Sequence, residues 1–207
     1  RTLLKLIEPN SGKIVFNGTD LKLISKKDLH QLRKDIQIIF QDPYSSLNLR
    51  MTIGDAISEP LKVHKLTPNA RKRKDQVMEL LERVDLKAAH FNRYPHEFSG
   101  GQRQRIVIAR ALILNPSFIV CDESVSALDV SVQAQVLNLL NDLKNEMGFT
   151  NIFISHDLSV VRYISDRIIV MNKGKIEESG QADDIFYHPQ TAYSKKLIAA
   201  IPKGKYC

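Results

Sequence analysis

Two adjacent carboxylates, Asp122 and Glu123, follow the apolar run 118–121 and are well placed to do chemistry. A short apolar run that ends in acids is typical of a buried parallel strand, and open α/β sheets bind ligands at the carboxyl ends of such strands. Successive side chains of a strand point to opposite sides, so the two acids are expected to have different tasks. In phosphoryl transfer one such acid holds Mg²⁺ and a neighbour orients the attacking water. We assign Asp122 to Mg²⁺ and Glu123 to the water; a strand end that caps the next helix has the same pattern.

The string Ser99-Gly-Gly-Gln102 has the residue types of a phosphate-binding helix start. Serine is a favoured N-cap, glycines allow close approach to the backbone, and the free N–H groups of a first helical turn attract anions. An ordinary loop has the same composition. The arginines that follow, Arg103 and Arg105, are equally compatible with salt bridges at the surface or within the domain.

The order of strand and helix patterns predicts an α/β domain with a largely parallel sheet. The first seven residues have the pattern of the end of a helix that begins before residue 1. The elements predicted after them are strands at 13–17, 36–40, 117–123 and 151–154, a hairpin of 167–171 with 175–178, helices after Ser25 and Ser99 and at 130–147 and 158–164, and a helical lobe at 52–84.

Length and composition limit the class of protein. The chain has 207 residues, of which 43% are hydrophobic, enough to bury a core in one domain or in a domain with a lobe. Its apolar runs are far shorter than the roughly 18 residues that a membrane-spanning helix needs. The thiols Cys121 and Cys207 are too few for a disulfide framework or a zinc site. A net charge of +7 is compatible with nucleic acid or an anionic membrane surface, but the cluster Arg71-Lys-Arg-Lys74 has the pattern of a solvated helix face.

Five strings, found in one order along nearly the whole chain, resemble the motifs of ATP-binding-cassette (ABC) ATPases. They are Phe40-Gln41 for the Q-loop, Phe98-Ser-Gly-Gly-Gln-Arg-Gln-Arg105 for the signature motif, Phe118-Ile-Val-Cys-Asp-Glu123 for the Walker B strand, Ser126-Ala-Leu-Asp129 for the D-loop and Ile154-Ser-His156 for the switch histidine. The resemblance implies a P-loop NTPase-like core with a mainly parallel sheet and an inserted helical subdomain. The implied divisions are a partial core at 1–46, the helical subdomain at 47–100, the remaining core at 101–180 and a C-terminal helical tail at 181–207.

The resemblance also implies roles for individual residues, with ATP and Mg²⁺ as cofactors and each ATP held between two such subunits. Glu123 polarises the attacking water, His156 binds the γ-phosphate, and Gln41 approaches both Mg²⁺ and the water. The implied metal residues are therefore Asp122 and Gln41. The residues that contact nucleotide or link the two sites are Ser99, Gly100, Gly101, Gln102 and Asp129.

The sequences in and around these motifs resemble, more specifically, those of the ATPase subunits of bacterial dipeptide and oligopeptide importers. Among these they resemble the second subunit of the pair. The strings that carry this are Gln41-Asp-Pro-Tyr-Ser-Ser-Leu-Asn48, Tyr94-Pro-His-Glu-Phe-Ser-Gly-Gly101, Val125-Ser-Ala-Leu-Asp-Val-Ser-Val-Gln-Ala-Gln135 and the tail from His188 to Pro202. The implied function is an ATP-hydrolysing motor on the cytoplasmic face of a membrane. A nickel importer ATPase, or an ABC protein that acts on DNA or ribosomes, is the alternative.

The implied partners are a second ABC ATPase subunit, two transmembrane permease subunits and, indirectly, a substrate-binding protein, with no nucleic acid among them. Residues 44–49 and the helix after Thr52 are expected to receive helices of the permeases, with ordinary packing of the lobe as the alternative.

One defining motif of the family does not occur in these residues. There is no G-x-x-x-x-G-K-[ST] string, and each Gly-Lys pair is followed by Ile or Tyr. By the resemblance this P-loop precedes residue 1, so we expect residues 1–207 alone to bind nucleotide poorly and to be inactive without it. Ser124 and Leu49 also stand where the family usually has proline.

Overall fold

The structure, a computed structural model, describes residues 2–201. Arg1 and residues 202–207, with the Cys207 thiol and the end of the predicted tail, lie outside the described residues. The predicted helix end at 1–7 is a single 3₁₀ turn, Thr2–Leu4.

A short antiparallel hairpin follows, made of β1 (Val15–Phe16) and β2 (Thr19–Asp20). Asn17 and Gly18 connect the two strands and have φ values of +46° and +78°, as a two-residue hairpin turn of the primed type requires. The predicted strand at 13–17 was therefore too long, because the chain already turns at Asn17.

The centre of the fold is a parallel sheet with the strand order β3 (Ile36–Ile39), β4 (Phe118–Asp122) and β5 (Thr150–Ile154). The middle strand β4 is buried from its second to its fourth residue, as its apolar pattern predicts. The α/β class with a parallel sheet is confirmed by these three strands, while the other four strands of residues 2–201 form two antiparallel hairpins. The carboxyl ends of β3, β4 and β5 meet at one edge of this sheet.

Most helices begin where the sequence supplies a capping side chain. The helices are α1 (Lys26–Asp35), α2 (Ile53–Val63), α3 (Ala70–Arg83), α4 (Gly100–Leu112), α5 (Val130–Met147), α6 (Leu158–Ile164), α7 (Ala182–Tyr187) and α8 (Ala192–Ala199). All but α7 have an N-cap side chain that accepts a backbone N–H of the first turn, and these caps are Ser25, Thr52, Asn69, Ser99, Asp129, Asp157 and Thr191. No helix within residues 2–201 is long and apolar enough to cross a membrane.

The helical lobe predicted at 52–84 is formed by α2 and α3, which pack against each other and against α4. One continuous core joins the lobe to the sheet, because Ile57 of α2, Leu81 of α3, Ile108 of α4 and Ile119 of β4 all belong to the same buried cluster. The helix α4 therefore lies between the lobe and the sheet.

The predicted second hairpin is present as β6 (Arg167–Asn172) and β7 (Lys175–Gln181). It carries a small separate core, in which Ile168 and Val170 pack with Ile185 of α7. The carboxylate of Glu178 accepts hydrogen bonds from the N–H groups of Gln190 and Thr191, at 2.8 and 3.2 Å, and so ties β7 to the start of α8.

Candidate active site

Glu123 is the first residue after β4 and its backbone is left-handed, with φ of +49°. This conformation is uncommon for a residue with a Cβ atom and costs about 1–3 kcal/mol. Its N–H donates to the Ile154 carbonyl at 3.0 Å, and its carbonyl accepts from the Ser126 N–H at 3.1 Å and the Ser126 hydroxyl at 2.9 Å. These three hydrogen bonds hold the strained turn at the carboxyl edge of the sheet.

His156 lies beside Glu123, because the neighbouring parallel strands β4 and β5 end together. The Nδ1 atom of His156 is 3.6 Å from Oε1 of Glu123. This gap is longer than a hydrogen bond, so neither side chain occupies the other's hydrogen-bonding groups directly. The His156 side chain is 74% exposed and that of Glu123 is 34% exposed, so solvent reaches the pair.

Gln41 comes two residues after β3 and completes the group at this edge. Its Nε2 atom donates to the Ser126 hydroxyl at 3.4 Å, and Ser126 in turn holds the Glu123 carbonyl. Gln41, Ser126, Glu123 and His156 thus form one connected group at the ends of three parallel strands. Asp122 is the half-buried last residue of β4 and pairs in register with Ile154 of β5.

The start of α4 is closed by a reciprocal pair of hydrogen bonds between Ser99 and Gln102. The Ser99 hydroxyl accepts from the Gln102 N–H at 3.3 Å, and the Gln102 side-chain oxygen accepts from the Ser99 N–H at 3.0 Å. In this capping box the side chain of each residue accepts a hydrogen bond from the backbone N–H of the other. The N–H groups of Gly100 and Gly101, between them, belong to the first turn, where a helix has no acceptor of its own.

The same glycines pack against the start of α5. A Cβ atom at Gly101 would lie 2.3 Å from Cγ1 of Val132, whereas one at Gly100 would meet Leu128 at 3.7 Å. Asp129 fixes this corner, since its carboxylate caps α5 by accepting from the Val132 N–H at 3.0 Å. The predicted signature and D-loop residues are therefore neighbours within one chain.

The structure thus brings the predicted site residues together in two groups. The first is Gln41 and Glu123, joined by Ser126, with His156 beside Glu123 and with Asp122 next to Glu123 in the chain. The second is Ser99, Gly100, Gly101, Gln102 and Asp129 at the starts of α4 and α5. Among residues 2–201, no hydrogen bond or ion pair joins Ser99 or Gln102 to Glu123 or His156.

Two arginines of α4 anchor the turn that follows Gln41. Arg110 donates from Nη1 to the Ser46 carbonyl at 2.5 Å, and the Arg103 guanidinium lies 5.5 Å from the centre of the Tyr44 ring. Burial of its guanidinium lowers the pKa of Arg110. Within the turn, the Tyr44 N–H donates to Asp42 at 2.8 Å and holds the pKa of that carboxyl below its ordinary value.

Sequence reasoning missed Ser126 and Arg110 as parts of the site. Ser126 stands inside the D-loop string, but only the fold reveals that its hydroxyl meets both Glu123 and Gln41. For Arg110 a signal existed: it follows Arg103 by seven residues, a spacing that places both side chains on one face of a helix.

A family model described as ABC transporter matches residues 1–126, which is more than half of the chain. The chain belongs to the ABC transporter family. Among its relatives are the oligopeptide transport ATP-binding protein OppF of Bacillus subtilis (strain 168), which is 53% identical over 203 residues, and OppF of Streptococcus mutans serotype c (strain ATCC 700610 / UA159), which is 52% identical. The glutathione import ATP-binding protein GsiA of Escherichia coli (strain K12) is 54% identical over 202 residues.

Each of these alignments includes 98% of this ABC family chain but a smaller part of the relative. The chain spans 67% and 66% of the two OppF proteins and 32% of GsiA. It therefore corresponds to about two thirds of an OppF protein and one third of GsiA.

Two solved structures of ABC proteins have the same fold. The ATP-binding cassette MJ0796, a dimer in a post-hydrolysis state bound to ADP and Pi, superposes with a TM-score of 0.76 and 28% identity over 87% of this chain and 78% of that one. CbiO1 from Clostridium perfringens, part of the ABC transporter complex cbiONQ, gives a TM-score of 0.80 and 25% identity over 97% of this chain and 77% of that one. The predicted family and fold class are confirmed.

Proposed function

We propose that this chain is the ATP-hydrolysing subunit of a membrane ABC importer for peptides. The reaction converts ATP and water to ADP and phosphate and is coupled to uptake of the substrate. The observation that carries the proposal is the group at the sheet edge, in which Glu123 is held 3.6 Å from His156 and is joined through Ser126 to Gln41. The choice of peptides is supported by the relatives, which are named for the transport of oligopeptides and of glutathione, itself a small peptide.

The residues present fit a Mg²⁺-bound nucleotide. Asp122 and Gln41 offer a carboxylate and an amide oxygen near one sheet edge, and Mg²⁺ is usually bound by one or two such protein ligands together with phosphate and water. No group of three or more His, Cys, Asp or Glu side chains within residues 2–201 is arranged to hold a metal ion. The N–H groups of Gly100 and Gly101 suit phosphate oxygens of the nucleotide that the second subunit holds.

In the proposed reaction the bound nucleotide supplies the phosphoanhydride bond that is broken. Glu123 accepts a hydrogen bond from the attacking water, orients it and takes its proton, the task of a general base. His156, next to it, contacts the γ-phosphate and stabilises the charge that develops there. Gln41, at the end of the neighbouring strand β3, also orients the water and connects the site to the turn at 42–47.

The proposed partners follow from this assignment. A second ABC ATPase subunit completes each nucleotide site across the interface, and Asp129 links the two sites. Two transmembrane permease subunits contact residues 44–49, where Tyr44 is 48% exposed, and the adjacent helix α2. A substrate-binding protein acts indirectly through the permeases, nucleic acid is not a partner, and the subunit is peripheral on the cytoplasmic face of the membrane.

We also propose that the domain boundaries expected from the motifs hold. Residues 1–46 and 101–180 then form the ATPase core, 47–100 the helical subdomain and 181–207 the tail. The packing of α2 and α3 against each other and against α4 supports a helical subdomain that leads into the start of α4.

The test is Glu123→Gln in the full-length subunit of the assembled importer. Because a general base contributes roughly 10²- to 10⁴-fold, ATP hydrolysis at that site is expected to fall by at least about a hundredfold, while ATP binding persists and an ATP-bound dimer accumulates. The matched control is Glu177→Gln, an exposed glutamate of β7 whose side-chain oxygen accepts from Asn172 and can still do so as an amide. Continued hydrolysis by Glu123→Gln, with the second subunit's site separately disabled, would show that Glu123 is not the base.

The substrate class is tested in vesicles that contain the assembled importer and its binding protein. Uptake of a labelled oligopeptide, driven by ATP, is the expected result. Uptake of Ni²⁺ in its place would contradict the peptide assignment.

A further inference from the structure

Ser126 contacts both the proposed general base, Glu123, and the neighbouring Gln41. Its hydroxyl donates to the Glu123 carbonyl at 2.9 Å and accepts from Nε2 of Gln41 at 3.4 Å. A hydroxyl carries one donor and two acceptor positions, so both hydrogen bonds form at the same time. The Ser126 N–H adds a third contact, again to the Glu123 carbonyl, at 3.1 Å.

Glu123 needs such support because its backbone is strained. A φ of +49° persists in a residue with a side chain only where the surroundings hold it. The other serine of this turn gives no such support, since the Ser124 hydroxyl is buried and makes no hydrogen bond to Glu123 or Gln41 among residues 2–201. Relaxation of the turn to an extended backbone would move the Glu123 carboxylate away from its place beside His156.

We propose that Ser126 is a positioning residue for ATP hydrolysis: its hydroxyl holds Glu123 in the left-handed turn and links that turn to Gln41. This inference rests on the proposed function, because Glu123 is the base of the proposed reaction. Ser126 contacts Glu123 and Gln41, which are proposed to act on the water, and makes no hydrogen bond within residues 2–201 to His156, which is proposed to contact the γ-phosphate at this site. Loss of its hydroxyl therefore slows the chemical step and leaves the affinity for ATP unchanged.

The experiment compares Ser126→Ala and Ser126→Thr in the full-length subunit within the assembled importer. For Ser126→Ala we expect kcat to fall at least fivefold, with KM for ATP and the binding of a fluorescent ATP analogue changed less than about twofold, since one hydrogen bond of about 1 kcal/mol corresponds to roughly this factor. Ser126→Thr keeps the hydroxyl and restores kcat. Ser179→Ala, an exposed serine of β7, is the matched control and keeps the wild-type rate.

Gln41→Ala supplies a second measurement that does not depend on the stability of one variant. If Gln41 reaches Glu123 through Ser126, the double variant Gln41→Ala/Ser126→Ala is slowed by less than the product of the two single effects. An unchanged kcat in Ser126→Ala, a parallel loss of kcat and ATP affinity, failure of Ser126→Thr to restore kcat, or strictly multiplicative effects would each overturn the inference. A wild-type importer that hydrolyses no ATP would instead refute the proposed function, and the role of Ser126 would fall with it.

Discussion

Gly101 is required either because it packs against Val132 or because a ligand approaches its backbone. Substitution of this glycine distinguishes the two explanations. A Cβ atom at Gly101 would lie 2.3 Å from Cγ1 of Val132, a distance at which one of the two groups must move. Val132 has little freedom to do so, because β-branched side chains in helices are restricted to one main rotamer. The first turn of α5 is also held by the hydrogen bond between the Val132 N–H and Asp129. Gly101→Ala should therefore strain the junction of α4 and α5.

The size of this effect follows from two opposing terms. Overpacking by one methyl group destabilises the fold by about 1–3 kcal/mol. Replacement of glycine by alanine stabilises a helix by up to about 1 kcal/mol, because alanine has the higher helix propensity. Gly101 is only the second residue of α4, so this stabilisation is smaller there. We expect Gly101→Ala to lower the free energy of unfolding by about 1–2 kcal/mol. Gly100→Ala is the matched control, because its new methyl meets Leu128 at an ordinary 3.7 Å and should change stability by less than about 0.5 kcal/mol.

The assay is unfolding of residues 1–207 in urea, with circular dichroism as the readout. Val132→Ala removes the opposing methyl groups, so the double variant Gly101→Ala/Val132→Ala should be more stable than the two single effects predict, with a coupling energy of at least about 1 kcal/mol. Equal stability of Gly101→Ala and Gly100→Ala, or no coupling with Val132→Ala, would refute the packing argument. The glycine would then be needed only for approach of a ligand to the backbone.

Two further predictions concern titratable groups. The Ser194 hydroxyl and the N–H groups of Gln190 and Thr191 lower the pKa of Glu178 from 4.5 to about 2, so its ionised form stabilises the fold above pH 4.5 and this contribution is lost as the pH falls towards 2. Urea unfolding over this range should show a steeper loss of stability for the wild type than for Glu178→Gln, and equal slopes would contradict the assignment. Burial raises the pKa of the Cys121 thiol to about 12, so at pH 8 iodoacetamide should alkylate it only after unfolding in urea, as measured by mass spectrometry of its peptide. Alkylation at equal rates in the folded and unfolded chain would show that this thiol is accessible.

The elements predicted with accurate bounds are those whose local signals agree with their packing. The helices Val130–Met147 and Leu158–Ile164 match their predicted bounds, because Asp129 and Asp157 cap them and each buries one apolar face. The strand predicted at 13–17 is too long, because the Asn17-Gly18 pair, a strong hairpin signal, turns the chain after Phe16.

The site was predictable to the extent that topology alone determines it. Neighbouring parallel strands end at the same edge, so Glu123 after β4 and His156 after β5 necessarily lie close together. The left-handed backbone of Glu123 and the contacts of Ser126 depend on how that turn packs, which no spacing in the sequence reveals. Gly101 is instructive, since sequence reasoning explained the glycine by approach of phosphate, whereas its nearest neighbour is Val132 of the same chain.

The helix α4 joins the two groups of site residues mechanically. At its start, Gly101 contacts Val132 of α5, so the signature residues and the D-loop cannot move apart without losing this packing. Further along, Arg103 and Arg110 hold the turn that follows Gln41. A rigid helix that is packed at both ends is one of the elements that can carry coupling between two sites. In the proposed importer, the turn at 42–47 and the start of α4 are thus connected through one helix, and a permease that contacts the exposed side of this turn would act on that helix.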